Sequence, residues 1–139
     1  MNLKRFGLAA GGAFAAIVTG DFIIHQVWLG PVYAATPQWW RPAAEMRSLT
    51  GLMFFSEAVL AVLLTSIYTK GYEAKKGTVG QGFRFGVLLG LLLSLPSGLM
   101  EAFVYPYPAT LIMSWMAGTL LEIVVAGLMI GVLYRPTAK

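Results

Sequence analysis

The stretch LIMSWMAGTLLEIVVAGLMIGVL, residues 111–133, contains one charged residue, Glu122, in 23 positions. About 20 predominantly apolar residues are enough for an α-helix to cross the hydrocarbon core of a bilayer. The stretch therefore predicts a membrane-spanning helix, and with it the class of the whole fold.

The composition of the whole chain supports a membrane protein. Apolar residues make up 58% of the 139 residues and charged residues 12%, and the mean hydropathy is +0.72. A soluble domain of this length could not bury so much apolar surface, whereas a bilayer accommodates it. We therefore expect a single-domain integral membrane protein surrounded by lipid. The chain has no cysteine, which excludes disulfides and thiolate metal sites.

Three further segments resemble residues 111–133 in length and apolar character. The predicted spans are 6–29, 49–69, 85–105 and 111–134, separated by glycines and prolines at 30–31, 71 and 106–108. They predict an all-α bundle of four helices. Residues 30–48, rich in proline and tryptophan, are expected to lie along the membrane interface as an anchor, or to form a lid or a partner surface.

The basic residues predict the orientation of the chain. Eight of the ten lie at the amino end, in the middle loop or at the carboxyl end, and two lie in the first loop. The positive-inside rule then places both termini in the cytoplasm. This distribution accounts for the net charge of +4 and predicts no nucleic-acid partner.

The second and fourth spans share a pattern. EAVLAVLLTSIYTK (57–70) and EIVVAGLMIGVLYR (122–135) have the same residue at their first, third, fifth and seventh positions. The match suggests a duplicated two-helix hairpin, whose halves a pseudo-twofold axis along the membrane normal would relate.

Each span contains one acidic residue: Asp21, Glu57, Glu101 and Glu122. A charged side chain at the centre of a spanning helix costs roughly 2.5–3.5 kcal/mol, and such residues usually face the bundle interior. At about 1.5 Å per residue from the basic flanks, all four carboxyls fall within about one helical turn of depth. His25, the only histidine, shares a helical face with Asp21. We predict a polar cluster in the outer half of the bundle.

Several chemistries fit such a cluster. The predicted spans contain no lysine or arginine, so protons, a bound cation or hydrogen bonds must compensate the acids. The acids could join helices as neutral hydrogen-bonding groups, or handle protons or cations with His25 as the outer proton acceptor. They could also bind a metal, although di-iron bundles usually offer two histidines. No cofactor is assigned, and the chain has no phosphate loop or hydrolase motif that would indicate an enzyme.

Small residues predict where the helices pack closely. Three GxxxG pairs are candidates for such contacts: Gly7 and Gly11, Gly86 and Gly90, and Gly127 and Gly131. The last pair points away from Glu122 and is a candidate contact with another chain. Pro96 is predicted to bend the third span.

The runs HQVWLGPVY (25–33) and 111–133, with the aromatic loop after the first, resemble an uncharacterised family of small four-helix bacterial membrane proteins. That family has a Trp-(Tyr)-x-Pro motif after its first helix and a glycine-rich last helix, and Leu29 stands here where the family often has tyrosine. The resemblance implies the four-helix fold and a multi-pass location in the bacterial inner membrane, and no activity.

Two functional hypotheses follow. The first is a small protein that binds or transports a proton or cation through the intramembrane carboxylates. A 15.0 kDa chain has little interior for a transport path, so this hypothesis requires a homo-oligomer. The second is an accessory subunit of a larger membrane complex, in which the acids are structural.

Overall fold

A computed structural model describes residues 2–74 and 76–135, and this part of the chain is all-α. Its six α-helices are α1 (Leu3–Asp21), α2 (Gly30–Ala35), α3 (Ala43–Ser48), α4 (Thr50–Lys70), α5 (Thr78–Val104) and α6 (Ala109–Leu133). A π-helical segment, Phe22–Trp28, continues α1, and a 3-10 turn, Pro37–Trp39, joins α2 to α3. Lys75 and Lys139, two of the basic residues in the orientation argument, lie outside the described residues.

Four helices are long and apolar enough to cross a membrane, as expected of a multi-pass membrane protein. They are Leu3–Trp28, Thr50–Lys70, Thr78–Val104 and Ala109–Leu133. The third begins seven residues before the predicted start at 85. Arg84 is one of the basic residues that the orientation argument assigned to the middle loop. It lies on an exposed face inside this helix, and the helix extends past it to Thr78.

The long helices are arranged in the order α4, α1, α6, α5. α6 packs along α5 on one side and α1 on the other, and α4 packs on the far side of α1. A pseudo-twofold axis relating the hairpin α1–α4 to α5–α6 would require α4 to pack on α5 as α1 packs on α6. Among the described residues α4 and α5 hardly meet, so the packing lacks the symmetry predicted from the sequence match.

The contact between α5 and α6 depends on glycines. A Cβ atom added at Gly127 would lie 2.6 Å from the Gly82 carbonyl oxygen and 2.7 Å from the Gly86 Cα. Gly90 packs on the backbone of Leu120, and Gly131 lies in the same buried stripe of α6. The pair Gly127 and Gly131, expected to face another chain, therefore packs inside this one, because small residues on both helices let the backbones touch.

Gly7 and Gly11 do not pack as predicted. A Cβ atom at either position would meet no other atom within 4 Å. The buried face of α1 carries Ala9, Ala13 and Ile17, and the two glycines lie on its exposed side. Within the described chain, therefore, this pair makes no helix contact, because GxxxG spacing gives a helix a smooth face but does not determine whether another helix packs on it.

The end of the bundle near the termini is tightly packed. Its core consists of small and aliphatic side chains from α1, α4 and α6, among them Ala9, Ala13, Leu64, Ala126 and Ile130. Below it, Tyr68, Tyr72, Phe85 and Tyr134 pack ring against ring with centroids 5.3–6.2 Å apart, and we call them the tyrosine cluster. The end of the bundle that contains this core and the tyrosine cluster is called the termini end.

The opposite end, the cap end, is covered by residues 30–48, the cap segment. Its short helices place Tyr33, Trp39 and Trp40 against Tyr107 and Trp115, with ring centroids 5.0–6.2 Å apart. These rings pack over buried Ile24, Leu29 and Leu111. Pro96, predicted to bend the third span, lies on an exposed face of α5, which continues unbroken to Val104.

Candidate functional site

Three of the four predicted carboxyls come together between the helices. Asp21, Glu57 and Glu122, which we call the carboxyl cluster, line one cavity of about 370 Å³ together with Ser56 and Thr119. They come from α1, α4 and α6. α1 lies between the other two helices, so Asp21 at its end reaches towards both glutamates.

Glu57 is the most buried member of the cluster. Its residue surface is only 5% exposed, and neither carboxyl oxygen has a hydrogen-bond partner in the described part of the chain. The position follows from the helix period, because Glu57, Ala61, Leu64, Thr65 and Tyr68 form one buried stripe of α4. A carboxyl placed in such a stripe must be buried, and an unpaired buried charge is strongly unfavourable.

Glu122 reaches the cluster by crossing α1 at Gly20. A Cβ atom at Gly20 would lie 2.9 Å from the Glu122 Cγ, so a glycine is needed for the glutamate side chain to lie across this helix. Glu122 also lines a second, apolar groove of about 530 Å³ between α1 and α6, with Gly12, Ala16 and Gly20 on its α1 side. The Glu122 side chain therefore borders two openings.

The members of the carboxyl cluster lie close enough to influence one another electrostatically. The Asp21 carboxyl lies beside both Glu57 and Glu122, although neither Glu57 oxygen is within hydrogen-bond distance of another group in the described chain. Two carboxyl groups can hydrogen-bond only if one of them carries a proton. Within residues 2–74 and 76–135, no three histidine, cysteine, aspartate or glutamate side chains are placed to hold a metal ion.

Glu101 is not part of the cluster. It lies near the end of α5 and lines a small pocket with Ser94, Ser97, Trp115 and Thr119. α5 packs almost entirely against α6, so Glu101 does not reach Asp21 across the bundle although its predicted depth is similar. The prediction of a four-carboxylate cluster is therefore corrected to three.

His25 begins a chain of contacts that leads out of the cluster. Its Nε2 lies 3.6 Å from the Asp21 Oδ1, its Nδ1 lies 2.7 Å from the Tyr33 hydroxyl, and the Trp115 indole N–H donates to that hydroxyl at 2.8 Å. His25 belongs to the π-helical segment, where the Leu29 N–H donates to the Ile24 carbonyl five residues back. π-helical turns inside α-helices frequently occur at functional sites.

The chain opens into a groove under the cap segment. This cap groove, of about 700 Å³, is lined by His25, Tyr33, Arg41, Glu101 and Trp115, among others. Thr119 lines both the cap groove and the cluster cavity. The cap groove is thus one opening next to the carboxyl cluster, and a second groove, of about 830 Å³, shares Ser56 with the cluster cavity.

Tyr33, Trp115, Thr119 and Gly20 were not identified from the sequence. Tyr33 lies in α2, outside the spanning segments, and burial raises the pKa of its hydroxyl. The hydrogen bond from Trp115 opposes this rise and the charge of Asp21 adds to it. The Tyr33 hydroxyl therefore keeps its proton near neutral pH, since the ordinary tyrosine pKa is already about 10.

Comparison with protein-family models, curated proteins and solved structures finds no match. The function is therefore inferred from the geometry of the site.

Proposed function

We propose that this is a multi-pass protein of the bacterial inner membrane whose carboxyl cluster binds a proton and exchanges it with the outer side of the membrane. The observation that carries the proposal is Glu57, which is buried beside two other carboxyls and has both oxygens without a partner in the described chain. A bound proton would remove the unfavourable buried charge.

The electrostatic argument is one of mutual repulsion. Two unit charges 4 Å apart interact by about 4 kcal/mol at an effective dielectric constant of about 20. Three carboxylates would therefore repel one another by several times the free energy of a hydrogen bond. No lysine or arginine lines the cluster cavity, so a proton shared among the carboxyls is the simplest compensation.

A proton is favoured over a metal cation by the spacing of the ligands. The described histidine and acidic side chains do not converge as a metal site requires. A shared proton needs only two carboxyl oxygens that a small side-chain movement can bring to hydrogen-bond distance, and Asp21 lies beside both glutamates in one cavity.

The orientation in the membrane is part of the proposal. The bias of the basic residues towards the termini end supports cytoplasmic termini and an outward-facing cap end. Exchange would then occur through the cap groove. Since the termini end is closed by the tyrosine cluster, we propose that net transport across the membrane would require a homo-oligomer.

The test is infrared spectroscopy of the purified protein in lipid nanodiscs, with the carbonyl stretch of protonated carboxyls measured at neutral pH. Ordinary aspartate and glutamate have pKa values of about 4 and are ionised there, so a protonated band reports the cluster. We expect this band in the wild type, a weaker band in Glu57→Gln, and no change in Glu101→Gln, the matched control outside the cluster.

Other outcomes would contradict the proposal. A wild-type protein with no protonated carboxyl at neutral pH would exclude proton binding, and a band abolished by sodium or potassium ions would favour a bound cation instead. If Glu57→Gln loses stability and a co-purifying partner with the band unchanged, the accessory-subunit hypothesis is supported.

A further inference from the structure

We propose that Tyr33 and Trp115 are positioning residues that hold His25 with its proton on Nε2, facing Asp21, so that His25 relays protons between the cap groove and the carboxyl cluster. The proposed tautomer rests on the hydrogen bonds around His25 alone, whereas the proton relay also rests on the proposed function.

The argument begins with the donors around the Tyr33 oxygen. An indole N–H can only donate, so the bond from Trp115 makes the Tyr33 oxygen an acceptor. The Tyr33 hydroxyl then has its own proton to donate, and the His25 Nδ1 lies 2.7 Å away. If Nδ1 carried a proton, two N–H groups would point at one oxygen and the hydroxyl proton would lose this acceptor.

A neutral imidazole carries one N–H, so an accepting Nδ1 places the proton on Nε2. That nitrogen faces the Asp21 Oδ1 at 3.6 Å, slightly beyond a direct hydrogen bond. The contact is therefore electrostatic until a small movement of the side chain or a water molecule closes it. The same logic, in which the bond to one ring nitrogen decides the role of the other, governs histidines generally.

Three charged groups lie near His25, on different elements of the fold. Asp21 faces it from α1, and Glu101 and Arg41 line the same groove from α5 and the cap segment. Arg41 is paired with Glu45 at 3.2 Å. Within the described chain, Asp21 is the only one of these groups that lies against the imidazole, so it is the acceptor on the cluster side.

The relay conserves protons. In one concerted step, the Tyr33 hydroxyl passes its proton to Nδ1, Nε2 passes its proton to Asp21, and Tyr33 takes a proton from a hydronium ion in the cap groove, which becomes water, so that no tyrosinate forms. The net change is one proton moved from the groove to the Asp21 carboxyl, and the imidazole is left with its proton on Nδ1. Release of a proton by the reverse steps restores the first tautomer.

The test uses the fact that the chain has a single histidine. Protein labelled with ¹⁵N-histidine and held in nanodiscs gives one pair of ring nitrogen signals, whose shifts distinguish the protonated from the unprotonated nitrogen. Above the pH at which the ring is charged, we expect Nε2–H in the wild type. Tyr33→Phe should give a mixture of both tautomers, and Trp115→Phe should shift the balance in the same direction.

The matched control is Tyr107→Phe. Tyr107 packs on Trp115 in the same aromatic cluster, but its hydroxyl is not part of the chain from Trp115 to His25. This variant should keep the wild-type tautomer, so that a change seen only in Tyr33→Phe reports the hydrogen bond and not loosened packing.

An Nδ1–H tautomer in the wild type, or an unchanged spectrum in Tyr33→Phe, would overturn the positioning role. The relay is tested separately by the rate at which the protonated-carboxyl infrared band responds to a pH jump, which Tyr33→Phe should slow at least several-fold and Tyr107→Phe should not. An unchanged rate would overturn the relay. If the wild type has the Nε2–H tautomer but no protonated-carboxyl band, the proposed function fails and the positioning role stands.

Discussion

Replacing Gly86 with alanine should separate α5 from α6. The new methyl carbon would lie 2.7 Å from the Val124 Cα and 2.9 Å from the Ile123 carbonyl oxygen. Both are backbone atoms of α6, which cannot rotate away as a side chain would. Because carbon atoms pack at about 3.5–4.0 Å, the two helices must move apart by on the order of 1 Å along this contact.

The expected loss of stability is about 2 kcal/mol, the middle of the range of about 1–3 kcal/mol for overpacking a well-packed core. This corresponds to a roughly 30-fold decrease in the folding equilibrium constant. It is a net figure, since alanine also has a higher helix propensity than glycine by about 1 kcal/mol. The measurement is reversible unfolding in mixed micelles with increasing dodecyl sulfate, followed by circular dichroism.

Gly11→Ala is the matched control, because a Cβ atom there meets nothing within 4 Å. It should leave the unfolding free energy unchanged or slightly raised. A Gly86→Ala protein as stable as the wild type would refute the close backbone contact. Equal losses in both variants would instead mean that Gly11 packs against a second chain.

Two other predictions concern the site and the orientation. Gly20→Ala would place a methyl group 2.9 Å from the Glu122 Cγ; because that side chain can rotate away, we expect a change of less than about 1 kcal/mol in unfolding free energy. The displaced carboxyl should nevertheless weaken the protonated-carboxyl infrared band, and an unchanged band would show that Glu122 is not held by this contact. Reporter fusions at the carboxyl terminus and in the cap segment should report cytoplasm and periplasm respectively, and a periplasmic carboxyl terminus would reverse the proposed direction of proton exchange.

The helices could be predicted from the sequence, but their partners could not. Hydrophobicity and length located four long helices, because each must present an apolar surface of similar length to lipid. The GxxxG pairs were visible too, yet Gly86 and Gly127 pack together while Gly7 and Gly11 are exposed. Whether a glycine-bearing helix face packs against another helix depends on the order of the helices in the bundle, and that order is determined by the whole chain.

The carboxyl cluster shows the same limit. Counting along the helices predicted the depths of Asp21, Glu57, Glu101 and Glu122 from the rise per residue alone. Depth does not fix the direction in which a side chain points, and Glu101 is separated from the others because α5 packs mainly against α6. The bond between Trp115 and Tyr33 joins residues 82 positions apart, one of them in a non-spanning segment, so no helical periodicity could have predicted it.

The two ends of the bundle constrain what a single chain can do. On the cap side, Thr119 connects the cluster cavity to an open groove. On the other side, Ile17, Leu64, Ile123 and Ile130 are almost completely buried, and the tyrosine cluster packs beneath them. Between Glu57 and the tyrosine cluster, the buried stripe of α4 contains one polar side chain, Thr65, and its hydroxyl donates to the Ala61 carbonyl of the same helix. The Glu122 side chain, however, also borders the apolar groove between α1 and α6. Under the proposed function, one chain would bind and release a proton at the cap end, whereas passage across the membrane would need a second chain that supplies polar groups at the α1–α6 groove.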